Sequence, residues 1–222
     1  MNETSIVNQV LAIETAGGGF SVAVLRDGAV AAQRHMPQEG QQAKLLVPAI
    51  AEIMREAALE YAALPMVVAA AGPGGFTGLR IGLSAALGIS LAAGCPAYGV
   101  NTLHALAENA ALHGVSGTVW AVMNAGKGEV AAQAFMVSGI ATAQHDMVLL
   151  PPDALHARIP SGAFITGDVF LLPDALKTSY VQEARPDAAM LARLAASRPE
   201  SRLEPLPLYV RPPDAKLPSA TI

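Results

Sequence analysis

The sequence is short of charge. Charged side chains make up 14% of its 222 residues, where a soluble domain averages roughly 25%. Between Tyr61 and Ala107 the only charged side chain is Arg80. A basic excess is missing too. With 14 Lys and Arg against 18 Asp and Glu the formal net charge is −4, and such a chain is a poor nucleic-acid binder by itself, because phosphate binding rests on clustered Lys and Arg. One cysteine, Cys95, excludes a disulfide framework and a thiolate zinc site. It sits between Gly94 and Pro96 with no local partner and reads as a buried structural thiol. The polar stretch Met1 to Gln9 has no basic run followed by an apolar one, so no secretory signal is expected and the expected location is cytoplasmic.

What the chain has instead is apolar surface: 52% hydrophobic residues, with 44 Ala. That excludes disorder and allows one large domain or two small ones with a sizeable core. The uncharged stretch then has three explanations: a membrane span, a large core, or a surface that is covered. A span needs about 20 consecutive apolar residues. Here the run is broken by Pro65, by Gly72-Pro73-Gly74-Gly75 and by Gly94-Cys95-Pro96. The one long helical piece, about Gly78 to Ala93, falls short and lacks flanking aromatics. No membrane span is expected, and a buried or partner-covered helix is.

Periodicity orders the elements. Val10 to Glu14 reads as a buried strand, Phe20 to Arg26 as a second, and Asp27-Gly28 as a hairpin turn into a third through about Arg34. Gln41 to Glu60 has helical period, with Leu46, Ile50, Ile53 and Ala57 on one face. Pro48 should kink this helix or mark its first turn. Met66 to Ala71 is all apolar, as expected of a strand covered on both faces. A glycine loop, a helix, a short strand at Ala97 to Val100 and a helix from Thr102 to about Leu112 follow, with Asn101 as the cap. Strands restart at Thr118 to Met123 and Glu129 to Met136 around Gly126-Lys127-Gly128. A short helix at Pro151 to Ala157, a strand at Ala163 to Thr166, a helix at Asp187 to Ser197 and a Pro-rich tail complete the chain. The order predicts two α/β halves, 1–100 and 101–222, the second smaller.

The most informative segment is Gly72-Pro73-Gly74-Gly75-Phe76-Thr77-Gly78-Leu79-Arg80-Ile81-Gly82. It is not a P-loop, having no Gly-Lys-Ser/Thr, and not a dinucleotide fingerprint, since Thr77 stands where the third Gly belongs. What remains is a tight turn at a helix N-terminus, a candidate anion cradle made of Gly72, Gly74, Gly75 and Thr77, or a structural turn that lets a helix pack closely on a sheet. Along the helix Leu79, Leu83, Leu87 and Leu91 form one row, and Gly78, Gly82, Ala86, Ser90 and Gly94 another made only of small residues. Arg80, Ser84, Gly88 and Ala92 form a third. Interior Gly costs roughly 1 kcal/mol each relative to Ala. A leucine ridge beside small grooves permits close helix packing that offsets this, against the rest of the chain or against a partner.

Catalytic constellations are missing. The five histidines, His35, His104, His113, His145 and His156, contain no pair spaced by three or four residues, so no helical metal pair exists. There is no Gly-x-Ser-x-Gly elbow. His104 and His113 read as surface or satisfied core residues. Asp146, Asp153 and Asp168 lie among turn residues. Glu14 ends a buried strand beside a glycine turn, a place for either an active-site acid or a rim carboxylate.

The loop at Gly72 to Gly82 closely resembles that of the bacterial TsaB (YeaZ) family. Leu11 to Ala16 and Ser21-Val22-Ala23 resemble that family's first two strands, and Gly99 to Leu103, Gly128-Glu129-Val130 and Leu208-Tyr209-Val210-Arg211 its later motifs. The resemblance implies an α/β chain with the actin-like ATPase (ASKHA, RNase H-like) fold of two related lobes. It implies a non-catalytic scaffold or dimerisation subunit of the tRNA threonylcarbamoyladenosine (t6A) modification complex. That subunit pairs with a catalytic TsaD-type homologue, is joined by a TsaE-type ATPase, forms a homodimer when alone, and meets tRNA only through the complex. No metal or cofactor of its own is implied, with ATP or ADP entering only at the interface with a partner. The implied interface uses the first-lobe helices, through Leu46, Ile50, Ile53, Leu79, Gly82, Leu83, Ala86, Leu87 and Ser90.

Three polar positions depart from the family pattern. Glu14 replaces an Asp, Gln42-Ala43 stands for His-Ser, and Asn124-Ala125-Gly126 for Asp-Ala-Arg. Two other readings compete: an ATP-binding phosphotransferase of the same fold, which needs an acidic residue at each lobe's opening turn, and a glycoprotease-like hydrolase, which needs a metal pair or a nucleophile with its base.

Overall fold

A computed structural model describes residues 9–174 and 180–211. Met1 to Asn8 and Pro212-Pro213 lie outside the described residues. Side-chain alternation builds the first sheet. In β1 (Gln9–Glu14) Val10 and Ala12 face the centre of the molecule while Leu11 and Ile13 face outward, and all four are buried. The same split recurs in β2 (Phe20–Arg26), with Ala23 and Leu25 inward and Val22 and Val24 outward, and in β4 (Val67–Gly72). A strand buried on both faces loses the polar alternation of a surface strand, which is why these segments carry so little charge. β1 pairs antiparallel with β2, and β2 with β3 (Ala29–Met36). On its other side β1 runs parallel to β4, and β4 to β5 (Ala97–Asn101).

The second sheet repeats this scheme. β6 (Gly117–Gly126) pairs antiparallel with β7 (Glu129–Val137) and parallel with β10 (Phe164–Gly167). Three short strands complete it: β8 (Ala141–Ala143) and β9 (Val148–Leu150) on β7, and β11 (Tyr180–Glu183) beside β10. Each sheet thus has an opening hairpin flanked by a parallel strand, and these are the two related lobes.

Helices fill the layers. α1 (Gln42–Glu56) and α2 (Phe76–Ala93) cover the outer face of the first sheet. α3 (Thr102–Leu112) and α5 (Ala188–Ser197) lie between the sheets, in one continuous core with Val10, Val68, Val119 and Phe135. α4 (Pro152–His156) covers the outer face of the second sheet. Asn101 caps α3 as expected, its Oδ1 accepting from the amides of Leu103 at 2.9 Å and His104 at 3.3 Å. Pro48 lies inside α1, which continues through it to Glu56.

The division at residue 100 misses the chain's return. α5 packs on β1 and β2, and the two-residue strand β12 (Arg202–Leu203) pairs with β5 at the edge of the first sheet. The Ser21 hydroxyl accepts from the Ala188 amide at 2.8 Å, tying the start of α5 to the first lobe. Strands as short as β12 carry no period for a sequence to show.

The helix expected at Gly78 starts two residues earlier. At 18 residues α2 is long and apolar enough to cross a membrane by length and composition, which corrects the expectation that it falls short. The fold uses it otherwise: Gly78, Leu79, Gly82, Leu83 and Ala86 are buried against the sheet. The glycines permit this. A Cβ on Gly78 would stand 2.2 Å from the Thr15 carbonyl oxygen, one on Gly82 2.2 Å from Thr15 Oγ1, and one on Gly74 2.4 Å from Ala16 Cβ. The loop and first half of α2 therefore lie directly on the β1–β2 turn. Gly88 has nothing within 4 Å of an added Cβ. Gly88→Ala should then stabilise the chain by about 1 kcal/mol through helix propensity, whereas Gly82→Ala should destabilise it by about 1–3 kcal/mol through overpacking. Chemical denaturation of the two variants checks this; equal effects would place Gly82 in open space.

Candidate functional site

Two turns face each other across the gap between the lobes: Thr15–Gly19 after β1, and Lys127–Gly128 after β6. Between them lies an open cleft of about 1030 Å³, lined by Ala16, Gly17, Gly74, Gly75, Asn124 and Lys127 among others. The three polar departures from the family pattern sit at these turns, and each is spent on backbone. Buried Glu14 accepts from the amides of Ala16 at 2.5 Å and Gly17 at 3.1 Å. Gln42, at the start of α1, donates to the carbonyl oxygens of Gly18 at 2.8 Å and Gly19 at 3.3 Å. Asn124 Oδ1 accepts from the Gly126 amide at 2.8 Å, and the Asn124 amide donates to Asp168 Oδ2 at 2.7 Å. Glu14 and Gln42 lie outside the cleft lining, and Asn124 lines the cleft while its Oδ1 holds its own turn.

Burial raises the Glu14 carboxyl to about 8, against the two amide hydrogen bonds, which pull it down. It holds its proton at neutral pH. Among the described residues no cluster of three or more His, Cys, Asp or Glu side chains is placed to hold a metal. His104 stacks on Phe135 with ring centres 5.3 Å apart, and burial lowers its titration point. Cys95 is half-buried, and burial raises its thiol.

The sequence-expected anion cradle comes only partly together. Gly74 and Gly75 line the cleft, but the Gly75 amide donates to the Ala16 carbonyl at 3.1 Å. Gly72 is buried at the end of β4, beneath Leu208, and Thr77 is exposed outside the cleft lining.

A feature that motif reading did not foresee closes one side of the cleft. Residues 204–211 cross it as a strap. The Leu208 amide donates to the Ala71 carbonyl at 2.7 Å. The Tyr209 ring stacks on Phe76 at 4.9 Å, and its hydroxyl accepts from Arg80 Nε at 2.7 Å. The Arg80 guanidinium lies 3.8 Å over the Phe76 ring, a cation–π contact. At the far end Arg211 donates to the Gly126 carbonyl at 3.1 Å and pairs with Glu129 in the second lobe. The Leu-Tyr-Val-Arg motif was the available signal; its partners, more than 80 residues away in sequence, were not.

The expected partner surface needs the largest correction. Leu46, Ile50 and Ile53 are buried beneath α1, and Leu79, Gly82, Leu83 and Ala86 beneath α2, all inside this chain's own core. Ser90 is half-buried, its hydroxyl donating to the Cys95 carbonyl at 2.5 Å. Only Leu87 of the nine is truly exposed. Helix geometry explains the error. Residues four apart advance by about 40° around the axis at 3.6 residues per turn, so the leucine row spirals out of the core: Leu79 is 1% exposed, Leu83 3%, Leu87 45% and Leu91 86%. Leu91, named in the leucine row but left out of the implied interface, and Val47 on α1 at 64% are exposed apolar residues on these two helices.

Glu14→Gln tests the turn. The substitution keeps an oxygen acceptor for both amides. The folded native chain retains a proton that the unfolded chain releases above about pH 4.5, so this group makes native stability fall as pH rises from about 4.5 to about 8. Denaturation midpoints should show the Gln variant equal to native near pH 4.5, gaining at up to about 1.4 kcal/mol per pH unit until pH 8 and then level. A difference independent of pH would mean the carboxyl ionises as it does in water.

The family model described as tRNA N6-adenosine threonylcarbamoyltransferase, TsaD, matches residues 33–203. The chain is 32% identical over 163 residues to the tRNA threonylcarbamoyladenosine biosynthesis protein TsaB of Escherichia coli, covering 71% of this chain and 70% of that one. Its fold matches the crystal structure of a Pseudomonas aeruginosa protein with similarity to peptidase YeaZ, with TM-score 0.78 and 25% identity over 92% of this chain and all of that one. The activator of 2-hydroxyisocaproyl-CoA dehydratase from Clostridium difficile shares the architecture alone, with TM-score 0.52 and 8% identity over 86% of this chain and 96% of that one. The two lobes therefore have the actin-like (ASKHA) fold. The chain belongs to the TsaD-type family and, within it, to the TsaB (YeaZ) proteins involved in tRNA threonylcarbamoyladenosine biosynthesis.

Proposed function

We propose that this chain is a non-catalytic scaffold subunit for t6A formation, working in the cytoplasm beside a catalytic TsaD-type homologue. The observation that carries the reading is the outer face of α2. Leu87 and Leu91 stand exposed beside Arg80, Ser84, Gly88 and Ala92, all of them exposed. Three of those four are small, so a second helix has room to approach closely, and Val47 extends apolar surface on the neighbouring α1. The likeness of the chain to the TsaD model supports a partner of the same fold. The same face serves a homodimer when the partner is missing, a TsaE-type ATPase joins the pair, and tRNA is met through the complex.

The consumption of Glu14, Gln42 and Asn124 by their own turns supports the non-catalytic part. A phosphotransferase of this fold needs a free acid at each opening turn, and a hydrolase needs a nucleophile with its base. Scaffolding needs neither, and no cofactor; ATP or ADP enters where a partner completes a site.

Copurification with a TsaD-type subunit tests the interface. Leu91→Glu and Leu87→Glu should each weaken pairing at least tenfold by placing an unpaired charge in the contact, while leaving the denaturation midpoint near native. Leu83→Glu should instead unfold the chain, since Leu83 lies inside it. Undiminished pairing by both exposed variants would put the partner on another face.

A further inference from the structure

The actin-like fold implies a metal-bound nucleotide between its lobes, and the residues of this cleft do not fit the metal. Among the described residues only two carboxylates line it, Glu39 and Asp168, and Asp168 already accepts from the Asn124 amide. Glu14, below the first turn, is outside the lining and committed to the amides of Ala16 and Gly17. Four cations line the cleft: Arg80 from α2, Lys127 from the β6–β7 turn, Arg185 from the segment before α5, and Arg211 from the strap. Against the two carboxylates this is a formal +2, and still +1 when Glu129, the partner of Arg211, is counted. The chain as a whole carries −4. Four of the 14 Lys and Arg face the cleft, so its described lining is net positive although the protein is acidic, and concave walls concentrate the field of such charges on small anions.

The lining also holds a ring that is half exposed to solvent. Phe76 and Tyr209 cover each other, with Arg80 over Phe76. Phe170, in the turn after β10, lines the same cleft and is 53% exposed. The volume of about 1030 Å³ lies at the upper end of small-ligand sites, about 300–1,000 Å³, leaving space for an apolar part beside an anionic one.

We propose that the cleft binds a small organic phosphate as the bare anion, without a divalent metal, with Arg185 and Lys127 holding the phosphate and Phe170 meeting the apolar part. This goes beyond the scaffold role and does not depend on it. Pairing through α2 can fail while this site binds, and the reverse.

The test is titration of the full chain by calorimetry or amide chemical shifts, with inorganic pyrophosphate and phenyl phosphate as probes in EDTA. Both should bind. Arg185→Gln should weaken pyrophosphate at least tenfold, and Arg158→Gln, an exposed cation outside the lining, should leave it unchanged. Phe170→Ala should weaken phenyl phosphate at least threefold while sparing pyrophosphate. Saturating Mg²⁺ should weaken pyrophosphate. No binding in EDTA, binding that strengthens with Mg²⁺, an equal loss in Arg158→Gln, or phenyl phosphate indifferent to Phe170 would each overturn the proposal.

Discussion

The structure depends on one close approach, that of the glycine loop and first half of α2 to the β1–β2 turn. Gly74, Gly78 and Gly82 have no room for a Cβ because Thr15 and Ala16 occupy it. That contact decides which face of α2 enters the core and hence which face is left outside. It also sets Phe76 and Arg80 where the strap can reach them, and it makes the loop a wall of the cleft. A loop whose sequence suggests phosphate binding is therefore first a packing device, with its Gly75 amide spent on Ala16.

From this contact the charge deficit of residues 61–107 follows. The stretch contains β4, fully buried in the first sheet, α2, half sunk into that sheet, β5 beside β4, and the start of α3 between the sheets. An ionised side chain at any of the buried positions would lack a partner, at a cost of several kcal/mol, and the exposed uncharged ones include Ser84, Leu87, Gly88, Leu91 and Ala92 on the outer face of α2. Arg80 is tolerated because it emerges at the start of α2 and finds Phe76 and Tyr209. Four of the 14 Lys and Arg line the cleft where the two lobes face each other. The strap joins the lobes at that point, from Ala71 to Gly126 and Glu129.

Much of this was legible in the sequence because it is written in local periods. The first three strands, the five helices among the described residues and the Asn101 cap all follow from alternation, helical spacing and cap chemistry. Short strands such as β8, β9 and β12 were not legible, since two or three residues show no period. The site was legible in part. The glycine loop was found, but the amide that matters in it is committed by a contact with residue 16, which no local pattern displays. The expected interface failed for a geometric reason. A row read at four-residue spacing was taken as one face, whereas over Leu79 to Leu91 it turns from core to solvent. Arg80 with Tyr209 and Arg211 with Gly126 pair across long separations, and motifs name such residues without naming what they touch.

The central claim is that the chain supports t6A formation by presenting α2 to a catalytic partner. Mass spectrometry of nucleosides from digested tRNA tests it most directly, in cells depleted of this protein and complemented with native chain or with Leu91→Glu. The account predicts that t6A falls on depletion, returns with native chain and stays low with Leu91→Glu expressed at equal level. Unchanged t6A on depletion, or full recovery with Leu91→Glu, would contradict it.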